Sequence, residues 1–195
     1  MKTNEASDIH PLIASRWSPR AFSNQSPDKN QVYRLLRAAG MAPSAFNDQP
    51  WAFLVGFKGD DTWQMILDVL VEFNQNWARQ APVLMLALGR TVASGNPSRS
   101  NPSWMYDAGQ SVAYLTFQAA HEGLWVHQMG GFSAEKATAA FSVPDHWKVL
   151  TAIALGYMGD KATLPSDLAA IENGPKDRKE FATFVFSGKF GTPAL

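Results

Sequence analysis

Ala42-Pro43-Ser44-Ala45-Phe46-Asn47-Asp48-Gln49-Pro50-Trp51 joins a helix-patterned stretch to a strand-patterned one. Small residues, two carboxamides (Asn47 and Gln49), two prolines and a tryptophan share these positions. Such a segment is stiff, yet it lets backbone and amide groups come close to a flat polar ring. The plainer reading is a connector, with Ser44 as a turn former. The run Asn47-x-Gln49-Pro50-Trp51 is unusual for a connector.

Working outward, Ser26-Pro27 reads as a helix start, and Val32, Leu35, Leu36 and Ala39 follow at helical spacing to Gly40. Ile9–Ala14 reads as a short helix. Trp51–Phe57, Ala81–Gly89 and Val149–Tyr157 are buried-strand candidates, and Leu124–Met129 is a shorter one. Asp61 opens a helix with Trp63, Ile66, Leu67 and Leu70 on one face. Trp104 to Glu122 reads as a central helix buried all round. Residues 90–102, rich in Ser, Asn, Pro and Gly, read as a flexible loop. Ser133 caps a short helix after a Gly130-Gly131 turn. From Arg178 to Leu195 the chain reads as an extended, phenylalanine-rich tail that must lie on something. No internal repeat or domain boundary is evident, so one α+β domain over residues 1–195 is expected.

The 195 residues suffice for one domain with a real core. Charged residues are only 17% and aromatics 12%, which points to surface buried in an oligomer interface as well as in a core. Lys plus Arg balances Asp plus Glu at 17 each, and no basic run exists, so nucleic acid is not an expected partner. With no cysteine, disulfides and thiolate metal sites are excluded. No apolar run suggests a signal peptide or a membrane span, and a cytoplasmic location is expected.

Five groups of residues could carry chemistry. Arg16, Ser18 and Arg20 lie two apart, so on an extended turn they can face one anion. Pro43, Ser44 and Asn47 come from the opening stretch. Asn74 offers a carboxamide that both donates and accepts, although an asparagine near a helix end is commonly a cap. Gly130 and Gly131 allow a close backbone approach or positive φ. Lys189, between glycines, could reach a phosphate. A planar heterocycle bearing a phosphate satisfies the set, and flavin mononucleotide (FMN) is such a molecule. The four histidines have no metal-ligand spacing; only His127, beside the glycine pair, is a catalytic candidate. A nucleophile elbow, a Walker A loop and a G-x-G-x-x-G fingerprint are all absent.

In this order and spacing, Arg16-x-Ser18-x-Arg20, Ala42 to Trp51, Asn74-Gln75-Asn76-Trp77-Ala78-Arg79-Gln80-Ala81-Pro82 and Gly188-Lys189-Phe190-Gly191 resemble the nitroreductase family of FMN-dependent oxidoreductases. The resemblance spans Ser15 to Gly191. It implies an α+β sandwich, with a mostly antiparallel sheet flanked by helices, built as an intertwined homodimer with FMN at the interface.

By that resemblance Arg16, Ser18 and Lys189 would hold the phosphate end, and Arg20 would sit near N1 and the C2 carbonyl. Asn74 would face the pyrimidine edge. Met129, Gly130 and Gly131 would offer backbone near N5. Pro43, Ser44, Ala45 and Asn47 would come from the other subunit, and Trp17 would line the cofactor. The tail from about 178 to 195 would reach onto the partner. Four positions depart from the family pattern: Trp17 and Gly130 stand where relatives often carry a basic residue and Glu, and Lys189-Phe190 replaces Arg-Trp. The implied reaction passes hydride from NADH or NADPH to FMN N5, then to a flat electrophile such as a nitroaromatic or quinone, in ping-pong order. No protein acid or base and no metal are required. A divergent branch (dehydrogenase, dehalogenase or flavin-fragmenting enzyme) and a non-catalytic flavin-binding dimer are the alternatives.

Overall fold

In the computed structural model, residues 8–174 and 177–194 are described. Four strands form one antiparallel sheet, ordered β1-β2-β6-β5: β1 (Trp51–Phe57), β2 (Val83–Arg90), β6 (Trp147–Gly156) and β5 (Trp125–Met129). Helices flank it: α1 (Pro11–Ala14), α2 (Lys29–Ala39), α3 (Asp61–Val69), α4 (Glu72–Ala78), α5 (Trp104–His121), α6 (Ala134–Ala140) and α7 (Ser166–Glu172).

The apolar run of β2 divides by the two-residue period of a strand. Leu84, Leu86 and Leu88 pack with Trp63, Ile66, Trp77, Ala137 and Leu168, under α3, α4, α6 and α7. Val83, Met85 and Ala87 pack with Val32 and Leu35 of α2 and with Val112 and Leu115 of α5. A strand covered on both faces needs no polar alternation, which is why β2 is continuously apolar. At Gly56 a Cβ would fall 2.3 Å from the backbone N of Trp63, so α3 can close onto β1 only over a glycine.

The structure alters several expectations. Helix α2 starts at Lys29, not Pro27. Asp28 caps it and forms a reciprocal box with Gln31; a Ser26 cap would have put Lys29 at the third position, with no acceptor to return the bond. Residues 90–102 contain a hairpin, β3 (Val92–Ala93) with β4 (Asn96–Ser100). Its composition disfavours strands, and tertiary bonds hold it instead: Asp48 Oδ1 accepts from Ser94 N (2.8 Å), and Asp48 Oδ2 from Asn101 Nδ2 (3.0 Å). Helix α5 buries one side only, because Met105, Tyr106 and Tyr114 face outward.

The tail is not extended. It curls into a small hairpin with Phe186 bridged to Pro193, and positive φ at Gly188 and Gly191 makes the turn. Phe181, Phe184 and Phe190 remain exposed. Among the described residues no helix is long and apolar enough to cross a membrane.

Candidate functional site

After α1 the chain passes beside the edge strand β5. The Trp17 ring meets Trp125 edge-on at 5.9 Å, and two residues later the Pro19 carbonyl accepts from His127 Nδ1 at 2.9 Å. The equal two-residue step on both partners is strand-like, so Arg16, Ser18 and Arg20 alternate away from these anchors. They line a cleft of about 210 Å³ together with Trp17, Ile171, Glu172, Gly174 and Arg178. Arg16 Nη1 reaches Ser18 Oγ at 3.5 Å. Burial, and then the nearby Arg178 charge, lower the pKa of Arg16 below the usual arginine value. Three guanidiniums against the carboxylate of Glu172 suit a dianion. The Nε of Arg20 is buried and has no hydrogen-bond partner among the described residues.

His127 anchors this segment. It is 9% exposed and its ring lies 4.4 Å from that of Trp77. A carbonyl only accepts, so Nδ1 carries the proton. Burial, reinforced by the Arg20 charge, pushes its pKa down to about 4 against the pull of the Pro19 carbonyl. A neutral, enclosed imidazole at pH 7 is a strut, and the catalytic reading of His127 is not supported. The unfolded chain takes up this proton near pH 6.5, and the folded one only near pH 4. Stability is therefore complete above about 6.5 and is lost as pH falls toward 4. Urea unfolding of the wild type at pH 7 and at pH 4.5 should differ by roughly 2–3 kcal/mol more than for His127→Gln.

One helical turn before Trp77, Asn74 sits inside α4 and is not a cap. Its Nδ2 donates to Gly131 O at 3.0 Å. Gly131 must lack a side chain, since a Cβ there would lie 2.5 Å from Asn74 Nδ2. Gly130 has open space, and neither glycine needs positive φ. Met129 ends β5 and its carbonyl accepts from Thr151 Oγ1. Trp125 and His127 of β5 thus contact Trp17 and Pro19, and Gly131, two residues past the strand's end, accepts from Asn74. Arg16, Trp17, Ser18 and Arg20 line one cleft, whereas Asn74, Met129, Gly130 and Gly131 are not in its lining.

The stretch 42–51 folds elsewhere. Ser44 Oγ accepts from Gln49 N, and the Ala45 N–H donates to buried Asp107 Oδ2 in the first turn of α5 at 3.1 Å. Phe46, Asn47 and Gln49 all adopt positive φ, from 47° to 55°, which is strained for residues with a Cβ. Asp48 pins the loop to Arg90 and the β3–β4 hairpin. Burial opposes the charge of Asp48, but bonds from Ser94 and the Arg90 cation outweigh it and hold its carboxyl below the usual range. Phe46 is 93% exposed, with the Arg99 guanidinium 5.8 Å from its ring centre.

Within one chain these two halves do not meet. The loop touches α5 at Asp107, whereas the Arg16 segment borders α5 at Thr116 and Ala120. Nine residues of helix separate the two contacts, about 13 Å. Lys189 does not line the cleft of its own chain; from the tail, Arg178 does. The cleft is also smaller than the roughly 300–1,000 Å³ of ordinary ligand sites. Sequence reasoning missed Glu172 and Arg178, which belong to no motif and reach the cleft only through tertiary folding.

An antiparallel sheet flanked by helices, with a guanidinium-lined cleft beside its edge strand, defines the α+β class of this protein. Residues 13–70 and 56–157 match the family model described as "Nitroreductase family", and the chain belongs to the nitroreductase family. A crystal structure described as an oxidoreductase containing FMN is 35% identical, covers 94% of this chain and 93% of its own, and superposes with a TM-score of 0.89. An uncharacterized 15.4 kDa protein of Mycolicibacterium smegmatis is 32% identical over 72% of this chain and 98% of its own length. A 5,6-dimethylbenzimidazole synthase of Rhodospirillum rubrum is 24% identical over 79% of this chain and 83% of its own.

Proposed function

We propose that this protein is an FMN-dependent oxidoreductase that takes hydride from NADH or NADPH and delivers it to a flat electrophile, a nitroaromatic or quinone, in ping-pong order. The observation that carries this reading is the cleft of Arg16, Ser18, Arg20 and Arg178 beside β5, in a chain of this family. The donor set fits the group: guanidinium forks and a hydroxyl for a phosphate monoester, and a buried Arg20 N–H still without an acceptor. Bound FMN supplies the hydride relay.

The chain supplies position and field. Arg16, Ser18 and Arg178 hold the phosphate end, with Lys189 joining from a tail. Arg20 places a cation where negative charge develops on reduction. Asn74, oriented by Gly131 O, presents its carboxamide to the ring's amide edge. The open space at Gly130 leaves backbone for the reactive edge, while Gly131 packs against Asn74. No side chain need move a proton, and buried neutral His127 accords with that.

The site is completed by a second copy of this chain. Pro43, Ser44, Ala45 and Asn47 of one protomer meet the Arg16 cleft of the other, which accounts for their separation in a single chain. Met105, Tyr106 and Tyr114 of α5, and Met41 beyond α2, are exposed apolar side chains available to such a partner. The phenylalanines of the tail, about 178–195, reach across it. We take residues 1–195 as a single domain working in the cytoplasm.

The test is an absorbance spectrum of the purified protein before and after anaerobic NADH or NADPH. A flavin spectrum that bleaches, and recovers with a nitroaromatic or quinone, is expected. A colourless protein that takes up no FMN contradicts the reading, and a flavin spectrum that never bleaches marks a binding dimer without turnover. Similarity to the benzimidazole synthase gives a second reading, a divergent flavoenzyme, in which reduction occurs but nitroaromatics and quinones do not restore the colour.

A further inference from the structure

Glu172 is the last residue of α7 and only 1% exposed. A carboxylate is disfavoured there twice over: burial strips its water, and the C-terminal end of a helix repels negative charge. Among the described residues its side-chain polar contacts are with one residue. Oε1 accepts from the backbone N–H of Arg20 at 3.0 Å, and Oε2 lies 3.7 Å from Arg20 Nη1. The pairing is incomplete, because Glu172 Oε2 and Arg20 Nε are both buried without a hydrogen bond. One carboxylate thus fixes the backbone of Arg20 and stands against its charge, while leaving the guanidinium's Nε uncommitted. Glu172 is also the only acidic residue lining the cleft among the described residues.

We propose that Glu172 is a positioning residue that sets the strength of the Arg20 field: it holds the guanidinium in place and offsets part of its charge, so that bound flavin is a weaker oxidant than Arg20 alone would make it. This rests on the FMN reading above. A cation beside the reducible ring favours the electron-rich form, and a carboxylate behind that cation subtracts from the effect. The arrangement accounts for what a stability role does not: a buried charge placed at the wrong end of a helix and only half satisfied.

The test is the midpoint potential of the FMN-bound protein, measured by dye equilibration, in the wild type, Glu172→Gln, Arg20→Ala and the double variant. Glutamine keeps an acceptor for the Arg20 N–H and removes the charge. Glu172→Gln should raise the reduced-to-oxidised ratio at fixed ambient potential at least tenfold, about 30 mV for a two-electron couple. In the Arg20→Ala background the same change should give a smaller rise, because only the carboxylate's own through-space effect on the flavin is then removed. An unshifted potential in Glu172→Gln, or an equal rise in both backgrounds, overturns the proposal. Should Glu172→Gln fail to fold, Glu172→Asp draws the charge back by one methylene; a rise supports the proposal and an unchanged potential overturns it. Wild-type protein that binds no FMN sinks the FMN reading itself, which is a different result from a flavin whose potential ignores Glu172.

Discussion

Arg16→Ala should weaken FMN binding by about 10- to 150-fold, enough to yield largely colourless protein after dilution and gel filtration. Arg16 lines the cleft beside Ser18 and Arg178, and its fork is the group most suited to a phosphate monoester. A charge-assisted bond of this kind contributes about 1.5–3 kcal/mol, which gives the stated range. The fold should survive, because Arg16 is only half-buried and belongs to neither core cluster. Fluorescence titration of stripped protein with FMN measures the effect. An affinity within twofold of the wild type would remove Arg16 from the site. Arg16→Lys should fall between, since lysine keeps the charge but loses the fork.

Trp77→Ala should be the most damaging core substitution near the site. Trp77 is fully buried, stacks on Phe22 with ring centres 6.3 Å apart, and supports the His127 ring. Truncating a buried Trp costs about 3–5 kcal/mol. In a chain of this size that lowers the melting temperature by roughly 6–20 °C. The loss should reach the site as well: without its shelf, His127 no longer fixes the Pro19 carbonyl between Ser18 and Arg20. Trp77→Phe should cost much less, because the ring remains and Nε1 has no hydrogen bond to lose. Calorimetry with an FMN titration checks both parts. Equal melting temperatures for Trp77→Ala and the wild type would refute the packing account.

The sheet and its covering helices were legible in the sequence, because runs such as Val83-Leu84-Met85-Leu86-Ala87-Leu88 leave little choice: only burial on both faces explains them. The Arg16–Arg20 group was legible through its two-residue spacing, which the edge of β5 realises. The β3–β4 hairpin was not, because its residues carry no strand pattern and Asp48, far away in sequence, clamps its turn at Ser94 and its end at Asn101. The structural role of His127 was not legible, since its place near Gly130 in sequence says nothing of the Trp77 ring that encloses it. Glu172 stayed invisible for a related reason: its partner lies 152 residues away, and no local pattern marks it. The positive φ of Phe46 and Gln49 was also hidden, because only Asn47 among the three is a residue type enriched in that region.

The central claim is that one chain's Arg16 and another chain's Asn47 build a single flavin site. Subunit complementation tests it most directly. Arg16→Ala and Asn47→Ala proteins, each poor in flavin alone, are co-expressed with different tags and the mixed dimer is isolated. A shared site predicts one tightly bound FMN per mixed dimer, because one of its two clefts regains both wild-type contributions. Mixed dimers as poor in flavin as either parent, or a flavin content equal to the simple average of the two parents, would contradict it.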